Sequence, residues 1–477
     1  MIVQTPFGPV MGIAEHGMQA FKGIPYAKAP MGKLRWKPPV FPDPWTDVRD
    51  CRYDGPRAIQ RHSEDQATYS EDCLHLSIWT PGCDEAKRPV VVYIHGGGHF
   101  EGSNSDVPFD GPHLVGGHDI VMVSINYRLG MLGYLFLGDV FGEEYAASGN
   151  CGVLDQILAL KWVQQCITCF GGDPGNMTIM GQSAGGKSVA HLMMTPLAKG
   201  LFHKAIIQSG GAQCIRDQRT ASVIADAHLA ALNIRRDQAE RLLELSVEEI
   251  LQAQGELCDH MVAPWHAYGP VVDGIVFSSL PEESGIVNPC PTLIGYTSEE
   301  LYYEKPDPQI DDTEVWRRLI WNFGLNAFDA RRYFNTRKET ILSQALGRTM
   351  SHCVYHVGGD YMIRQLVASG IPVYAYLWDY HGNDTPHHFS EMRFVFRYTT
   401  AEKADGMVSG EETWAQRMNI LWNAFIRTGS PQAEDMPEWC ACTIDTPRRM
   451  HFSEQGVQLI PYELYLTEDF PAQVIRY

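Results

Sequence analysis

The sequence predicts an α/β protein in which a mostly parallel central sheet is flanked by helices. Two observations indicate this class: short apolar strands alternate with longer helical patterns from about Val90 to Trp378, and a serine stands on a glycine-rich turn between a strand and a helix. Residues 154–169 have the apolar spacing of a helix, with Ile157, Leu160 and Trp162 on its buried side. The clearest strands are residues 90–94, 120–123, 177–180, 205–207, 292–294 and 373–377.

The serine turn is Gly181-Gln182-Ser183-Ala184-Gly185, which follows the strand-like run 177–180 and precedes a helical segment. A serine hydroxyl is a weak nucleophile at neutral pH, so catalysis requires a tight turn that exposes it to a base and an oxyanion site. Glycine on both sides leaves room for such a turn. This context predicts that Ser183 is a catalytic nucleophile, the alternative being a glycine-rich turn with an incidental serine.

A second glycine run, His95-Gly96-Gly97-Gly98, comes directly after the apolar strand 90–94. Glycines at this place allow backbone N–H groups to point at a ligand, as a tetrahedral oxyanion requires. We expect the donors to be the N–H groups of Gly97, Gly98 and Ala184. Glycine runs also bind phosphate groups, but this one lacks the Lys-Ser/Thr end of a phosphate loop and the glycine spacing of a dinucleotide site.

The motifs together resemble those of the type-B carboxylesterases, which include the bacterial para-nitrobenzyl esterases and the cholinesterases. The resemblance covers nearly the whole chain, and its motifs occur in the order that the family has. It implies the α/β-hydrolase fold, in one domain over residues 1–477 with helical insertions at about 221–254 and 311–366 that cover the active site. Besides the two glycine runs, the matching segments are residues 21–27, 70–74, 126–130, 152–156, 170–174, 208–210, 422–425 and 429–431.

The resemblance also implies which acid orients the catalytic histidine. In the family the acid loop follows a strand, and the second of two acidic residues has the catalytic role. In this chain the loop after strand 292–294 contains Glu299-Glu300-Leu301, whereas the family usually has Asp-Glu-Gly. The resemblance therefore points to Glu300, with Glu299 and a solvated charged loop as the alternatives.

Two adjacent histidines, His387 and His388, are candidates for the catalytic base. The family places this histidine six residues before the first residue of an aromatic cluster, here Phe394, and three residues before an acidic residue, here Glu391, and this spacing selects His388. The alternatives are a surface loop or half of a metal site, but no second group of His, Cys or Asp at zinc-like spacing accompanies the pair. We expect no metal.

The implied activity is hydrolysis of a small carboxylic ester through an acyl-enzyme, with a Ser183–His388–Glu300 triad and no cofactor. The same triad serves amides, carbamates or thioesters, and these substrates remain alternatives. Some relatives have lost the serine and act as binding proteins, but this chain retains Ser183, His388 and a candidate acid.

Two further parts of the sequence bear on the substrate pocket. After the oxyanion glycines, His99 replaces the usual aromatic residue of the family and Phe100 follows it. His99 either hydrogen-bonds a polar group of the substrate or forms part of the wall. The aromatic segments 265–268 and 301–303 indicate a pocket for bulky or aromatic esters, although such residues are equally ordinary in a core.

Composition and charge are consistent with an enzyme of this kind. The chain has 477 residues, 44% of them hydrophobic, and 38 Lys and Arg against 57 Asp and Glu. The negative balance repels phosphate, so nucleic acid is not expected as a partner. No apolar run of membrane-spanning length is present and residues 1–5 lack the features of a secretion signal, so we expect no membrane association and a cytoplasmic location.

The resemblance gives one further expectation about the cysteines. Secreted relatives bridge the cysteine of the Ser-Glu-Asp-Cys motif, here Cys73, to an earlier cysteine. In this chain Ala58 stands near the earlier position, and Cys51 comes several residues too early. We therefore expect Cys73 to be a free thiol.

Overall fold

The computed structural model describes residues 1–61, 69–106, 110–260, 267–301, 307, 309–382, 385–398 and 411–464. The strands in these residues are β1 Ile2–Gln4, β2 Pro9–Met11, β3 Ile13–Glu15, β4 Met18–Pro25, β5 Arg49–Asp50, β6 His75–Thr80, β7 Arg88–Ile94, β8 Val121–Ile125, β9 Gly172–Gln182, β10 Lys204–Gln208, β11 Thr292–Thr297, β12 Val373–Asp379, β13 Arg448–Ser453 and β14 Gly456–Pro461. The α-helices are α1 Gly111–Val115, α2 Gly130–Tyr134, α3 Gly138–Phe141, α4 Cys151–Cys166, α5 Ala184–Met194, α6 Gln218–Ala231, α7 Val247–His260, α8 Pro281–Ser284, α9 Asp312–Phe323, α10 Ala327–Thr336, α11 Leu342–Met350, α12 Val357–Ala368, α13 Met392–Val395 and α14 Glu411–Thr428.

The chain forms two compact units. The first consists of residues 1–179, 191–202 and 214–288, and the second of residues 180–190, 203–213 and 289–477. Strand β9 and helix α5 each have residues in both. The single domain expected from the sequence stays a prediction.

In the first unit the strand order of the main sheet is β3-β4-β6-β8-β7-β9. Strands β7 and β8 are parallel, whereas β3, β4, β6 and β8 pair antiparallel in that order. A separate small sheet has the order β1-β2-β5. Because every residue of β8 and most of β7 are buried, these strands are continuous apolar runs rather than alternating ones.

In the second unit the order is β9-β10-β11-β12-β13-β14. Strands β10, β11, β12 and β13 are parallel, and β14 returns antiparallel to β13. Helix α12 packs against β11 and β12. The sheet is therefore parallel in its centre, as the sequence predicts, and antiparallel at its outer strands.

The predicted elements are present with shifted bounds. Each of the six strands expected from the sequence overlaps a strand of the structure, and β9 begins five residues before the predicted start at Met177. The helix predicted over 154–169 is α4, which begins at Cys151 and continues from Ile167 as a 3₁₀-helix. Both predicted insertions are helical, with α6 and α7 in the first and α9 to α12 in the second.

An aromatic cluster forms the core of the second unit below β12 and β13. The ring of Phe452 on β13 lies 6.2 Å from Trp378, 6.4 Å from Trp422 and 5.9 Å from Trp439 between centroids. All four residues are fully buried. Burial of large rings stabilises the sheet, and it fixes the end of β12 from which the loop to His388 departs.

A buried ion pair ties a loop of the first unit to helix α4. Asp155 accepts hydrogen bonds from Nε and Nη2 of Arg128 at 2.8 and 2.7 Å and from its backbone N–H at 3.0 Å. The exposed fractions of the two side chains are 3% for Arg128 and 0% for Asp155. Nη1 of Arg128 also donates to the carbonyl oxygen of Lys37 at 2.9 Å, and Asp155 supplies the opposite charge.

We predict that Asp155→Ala lowers the free energy of unfolding by about 3 to 5 kcal/mol, because it leaves the Arg128 guanidinium buried without its partner. The matched control is Asp237→Ala, which breaks the exposed Arg235–Asp237 pair in the same unit and costs less than about 1 kcal/mol. Urea unfolding of both variants measures the difference. Equal effects would show that burial of the Arg128 pair is not what makes it important.

Candidate active site

Ser183 lies on the sharp turn that joins β9 to α5. Its φ of +57° is in the left-handed region, which costs a non-glycine residue of order 1 kcal/mol or more. The turn is held by two backbone hydrogen bonds: the N–H of Ser183 donates to Gln208 O at 2.9 Å, and Ser183 O accepts from Lys187 N at 2.9 Å. The residue is half-buried at this turn.

The flanking glycines are explained by the closeness of the backbone within this turn. A Cβ atom on Gly181 would lie 2.3 Å from the carbonyl carbon of Gly185. A Cβ on Gly186 would lie 2.7 Å from Gln208 O. A larger residue at either position would separate the strand from the helix, so the turn depends on these glycines.

The ends of the parallel strands bring the candidate acid and the histidine together. Ser209 N donates to Gly295 O at 2.8 Å, and Ser298 N donates to Trp378 O at 2.8 Å. These hydrogen bonds join the end of β10 to β11 and the end of β11 to β12. Glu300 follows β11 and His388 follows β12. The N–H of His388 donates to the carbonyl oxygen of Glu300 at 3.1 Å.

The side chain of Glu300 is fully buried and contacts the histidine. Its Oε2 atom contacts Nδ1 of His388, and its Oε1 atom accepts a hydrogen bond from Thr297 N at 2.9 Å. Burial alone would raise the pKa of Glu300, but the charge of His388 and the hydrogen bond to it hold this pKa below the ordinary value. The carboxylate is thus ionised and aimed at the imidazole.

The alternative acid, Glu299, is bound elsewhere. Nε of Arg348 donates to both of its carboxylate oxygens, at 3.0 and 3.1 Å. Arg348 also donates to Glu339 at 2.6 Å. Burial raises the pKa of Glu299, and the adjacent Arg348 acts in the opposite direction. Glu299 therefore fixes the loop while Glu300 contacts His388.

The two neighbouring histidines have different environments. His387 is exposed, with Nδ1 2.9 Å from the carbonyl oxygen of Thr385. His388 is partly buried, and its Nε2 lies 3.3 Å from Nε2 of Gln182. Since Gln182 precedes Ser183 in the chain, Nε2 faces the serine turn. The structure thus places Glu300 against Nδ1 of His388, and it places Nε2 of His388 beside Gln182, the residue before Ser183.

Two residues next to this site, Tyr355 and His356, were not singled out from the sequence. Tyr355 covers the imidazole of His388 with a centroid distance of 4.7 Å, and it belongs to a π-helical segment, Ser351–His356, between α11 and α12. His356, from the same segment, has Nε2 2.9 Å from Thr297 O, and burial lowers its pKa to about 4. Nothing in their local sequence indicated these contacts, since the π-helical turn is set by packing within the insertion.

Glu391 is a second buried acid close to Glu300. Its Oε1 atom lies 3.4 Å from Nε2 of Gln208 and 3.5 Å from the hydroxyl of Tyr376. Burial, together with the negative charge of Glu300, raises the pKa of Glu391 to about 8. At neutral pH Glu391 is therefore mainly protonated, so it adds no second negative charge next to the Glu300 carboxylate. In the sequence it is the acidic residue three positions after His388, and its role in the structure is to lie buried between Gln208 and Tyr376.

The other glycine run lies in the first unit, after β7. Gly97 and Gly98 have φ values of +98° and +62°, and a Cβ on Gly97 would lie 2.2 Å from Glu101 O. Gly97 O accepts hydrogen bonds from the N–H groups of Phe100 and Glu101, both at 3.0 Å. Glycine is needed here because the loop folds back on itself within four residues. The third expected donor, Ala184, is the buried first residue of α5.

The residues expected to line the substrate pocket differ in burial and in their neighbours. His99 is 1% exposed, with its ring 5.0 Å from Tyr134 and 5.9 Å from His191 between centroids, which favours the wall over a contact with substrate. Phe100 is half-buried. Of the aromatic segments, Tyr268 is buried with its hydroxyl 3.1 Å from Nε2 of His228. The other aromatic candidates, residues 265, 266, 302 and 303, lie outside the described residues.

Among the residues that the structure describes, no group of three or more His, Cys, Asp or Glu side chains is arranged to hold a metal ion. No helix in this part of the chain is long and apolar enough to cross a membrane.

Comparison with known proteins identifies the family. The model of the carboxylesterase family matches residues 1–463. The chain belongs to the carboxylesterase family. The para-nitrobenzyl esterase of Bacillus subtilis (strain 168) is 34% identical over 463 residues, which cover 91% of each protein. The phenmedipham hydrolase of Pseudarthrobacter oxydans is 32% identical over 492 residues, which cover 96% of each.

Solved structures agree with this assignment. A carboxylesterase of Geobacillus stearothermophilus has a TM-score of 0.87 at 37% identity, with 96% of this chain and 97% of that chain covered. A para-nitrobenzyl esterase has a TM-score of 0.86 at 32% identity, with 97% of each chain covered. This carboxylesterase therefore has the α/β-hydrolase fold and is a carboxylic ester hydrolase, which confirms the resemblance found in the sequence.

We predict that Glu391→Gln stabilises the carboxylesterase increasingly as pH rises from about 5 to about 8. In the folded protein the pKa of Glu391 is about 8 against an ordinary value of 4.5, so ionisation opposes folding, and the wild type loses stability as pH rises through this interval. Glutamine cannot ionise and escapes this loss. Thermal unfolding at several pH values measures the effect, with the exposed Glu412→Gln as control; parallel pH curves for Glu391→Gln and the wild type would contradict it.

Proposed function

We propose that this carboxylesterase hydrolyses small-molecule carboxylic esters with Ser183 as nucleophile, His388 as general base and Glu300 as the acid that orients the base. One observation carries the proposal: the buried Glu300 carboxylate contacts Nδ1 of His388 while Nε2 of the same ring faces the turn that bears Ser183. Because Glu300 accepts the Nδ1 proton, Nε2 keeps a lone pair and acts as the base.

The reaction has two steps. Nε2 of His388 removes the hydroxyl proton of Ser183 while Oγ attacks the ester carbonyl, and the imidazolium then protonates the departing alcohol to leave an acyl-enzyme. In the second step His388 removes a proton from water, the hydroxide attacks the acyl carbonyl, and the proton returns to Oγ of Ser183. The Glu300 carboxylate stabilises the imidazolium in both steps.

The oxyanion donors of this mechanism are predicted from the sequence alone. They are the backbone N–H groups of Gly97, Gly98 and Ala184, and a well-placed donor contributes about 3 kcal/mol to transition-state stabilisation. For His99 we propose a place in the pocket wall, beside Phe100.

The proposed mechanism uses protein groups and water only, so it requires neither a cofactor nor a metal ion. We also propose a cytoplasmic location. It is supported by Cys73, which is a buried free thiol in the described structure. Burial raises the pKa of this thiol far above its ordinary value, so it is un-ionised at neutral pH and resists oxidation.

We predict that an organophosphate labels Ser183 with a stoichiometry of about one, and that Ser183→Ala abolishes both labelling and hydrolysis of a chromogenic ester. The reason is that only a serine activated by a base attacks the phosphorus atom at neutral pH. Mass spectrometry of the labelled peptide and initial-rate measurements check the two parts. An adduct on another residue, or an active Ser183→Ala variant, would refute the assignment.

We predict that Glu300→Gln lowers kcat by about three to four orders of magnitude, since an amide at this place no longer fixes the tautomer of His388 or stabilises its imidazolium. The matched control is Glu299→Gln, which removes the same charge from the adjacent residue but touches Arg348 instead, and should change kcat less than about tenfold. Steady-state kinetics of both variants decide the question, and equal losses would argue against Glu300 as the catalytic acid.

A further inference from the structure

The carbonyl oxygen of Thr297 lies at the end of β11, where a side chain takes the place of a neighbouring strand. The N–H of Ser209, just past β10, donates to Gly295 O at 2.8 Å, and the next donor in a parallel ladder stands two residues further on. That donor, residue 211, would serve Thr297 O, but β10 has ended before it. The group that lies against Thr297 O is the imidazole of His356, with Nε2 2.9 Å away.

This contact fixes the tautomer of His356. A carbonyl oxygen can only accept a hydrogen bond, so Nε2 is the ring nitrogen that carries the proton. Burial lowers the pKa of this imidazole to about 4, so the ring is neutral at neutral pH and holds a single ring proton. His356 therefore donates its Nε2–H to Thr297 O.

The ring of His356 is held in place by its neighbours. It is stacked on Tyr296, with a centroid distance of 4.1 Å and an angle of 18° between the planes. The hydroxyl of Tyr296 donates to Oδ1 of Asp360 at 3.1 Å and accepts from Nη1 of Arg449 at 3.2 Å. The ring of His352 lies edge-on to His356 at 5.9 Å between centroids. The donor N–H is thus held in a fixed direction.

Thr297 is also the residue whose N–H binds the proposed catalytic acid. This N–H donates to Oε1 of Glu300 at 2.9 Å, while Oε2 of the same carboxylate contacts Nδ1 of His388. Thr297 is therefore held at its carbonyl by His356 and holds Glu300 by its N–H. A shift of Thr297 would move Oε1 and turn the carboxylate away from Nδ1.

We propose that His356 is a positioning residue for Glu300, which it holds through Thr297 so that the carboxylate stays aimed at His388. This inference rests on the proposed function of Glu300. The π-helical segment that carries His356 also carries Tyr355, whose ring covers His388. One irregular helical turn thus contacts both the loop of the acid and the base, and such turns are frequent at functional sites.

The decisive experiment compares His356→Phe with His356→Gln in the hydrolysis of a p-nitrophenyl ester. Phenylalanine keeps a ring to stack on Tyr296 but has no N–H, whereas the amide nitrogen of glutamine stands near the place of Nε2 and still donates. We expect His356→Phe to lower kcat about 10- to 100-fold and to change KM less than about threefold, because a misdirected carboxylate impairs the chemical step. His356→Gln should keep kcat within about fivefold of wild type, since it retains the donor.

Loss of a hydrogen bond to a carbonyl oxygen also costs stability, so the control removes a bond of the same kind. Nε2 of Gln432 donates to Trp439 O at 2.7 Å in the same unit, and Gln432→Met should leave kcat unchanged. Organophosphate labelling of Ser183 counts the active sites of each single variant, so that kcat refers to folded enzyme. Wild-type kcat in His356→Phe, or equal losses in His356→Phe and His356→Gln, would overturn the role of the N–H.

A double-mutant cycle shows whether His356 acts through Glu300. In Glu300→Gln the carboxylate is already absent, so adding His356→Phe should lower kcat less than about threefold further. A further loss as large as that in the wild-type background would show that His356 acts by another route, and the inference would fail. If Glu300→Gln loses activity as expected while His356→Phe keeps it, the inference alone fails. If Glu300→Gln itself keeps wild-type kcat, the proposed function fails.

Discussion

The contact between the Glu300 carboxylate and the His388 imidazole is the interaction around which the second unit is arranged. A fully buried carboxylate is tolerated only when a partner and hydrogen bonds compensate its charge. His388 and the N–H of Thr297 provide these, and the N–H of His388 is in turn bonded to the carbonyl oxygen of Glu300. Glu300 and His388 thus fix each other through both backbone and side chain, so the imidazole is held in one orientation.

The acidic residues around this pair do not compete with Glu300 for His388. Glu299 is neutralised by Arg348, and Glu391 remains protonated because burial and Glu300 both disfavour its ionisation. The histidine has a single, defined tautomer because no second ionised carboxylate competes with Glu300 for its ring N–H. The chain is strongly acidic as a whole, yet in the described part of the site the negative charge is confined to the carboxylate that contacts His388.

Much of this arrangement could be predicted from the sequence. The glycines around Ser183 and after β7 are visible there because the backbone conformations they permit are local, and the strands between them are continuous apolar runs. The choice of Glu300 over Glu299 and of His388 over His387 came only from the resemblance to a family. Glu299 and Glu300 are adjacent and identical in type, and in the structure they differ in their partners, Arg348 and His388. Both partners are distant in sequence, so the local sequence could not distinguish the two acids. The contacts of Tyr355 and Gln182 with His388 were missed for the same reason, although Gln182 is the immediate neighbour of Ser183.

The backbone conformation at Ser183 has a consequence for the stability of the folded protein. Its φ of +57° is a conformation that glycine adopts at no steric cost, so a glycine at this position would relieve strain and make the folded protein more stable. Selection for stability alone would favour that replacement. The strain at Ser183 is therefore a cost in folding free energy that the proposed role of its hydroxyl group would explain.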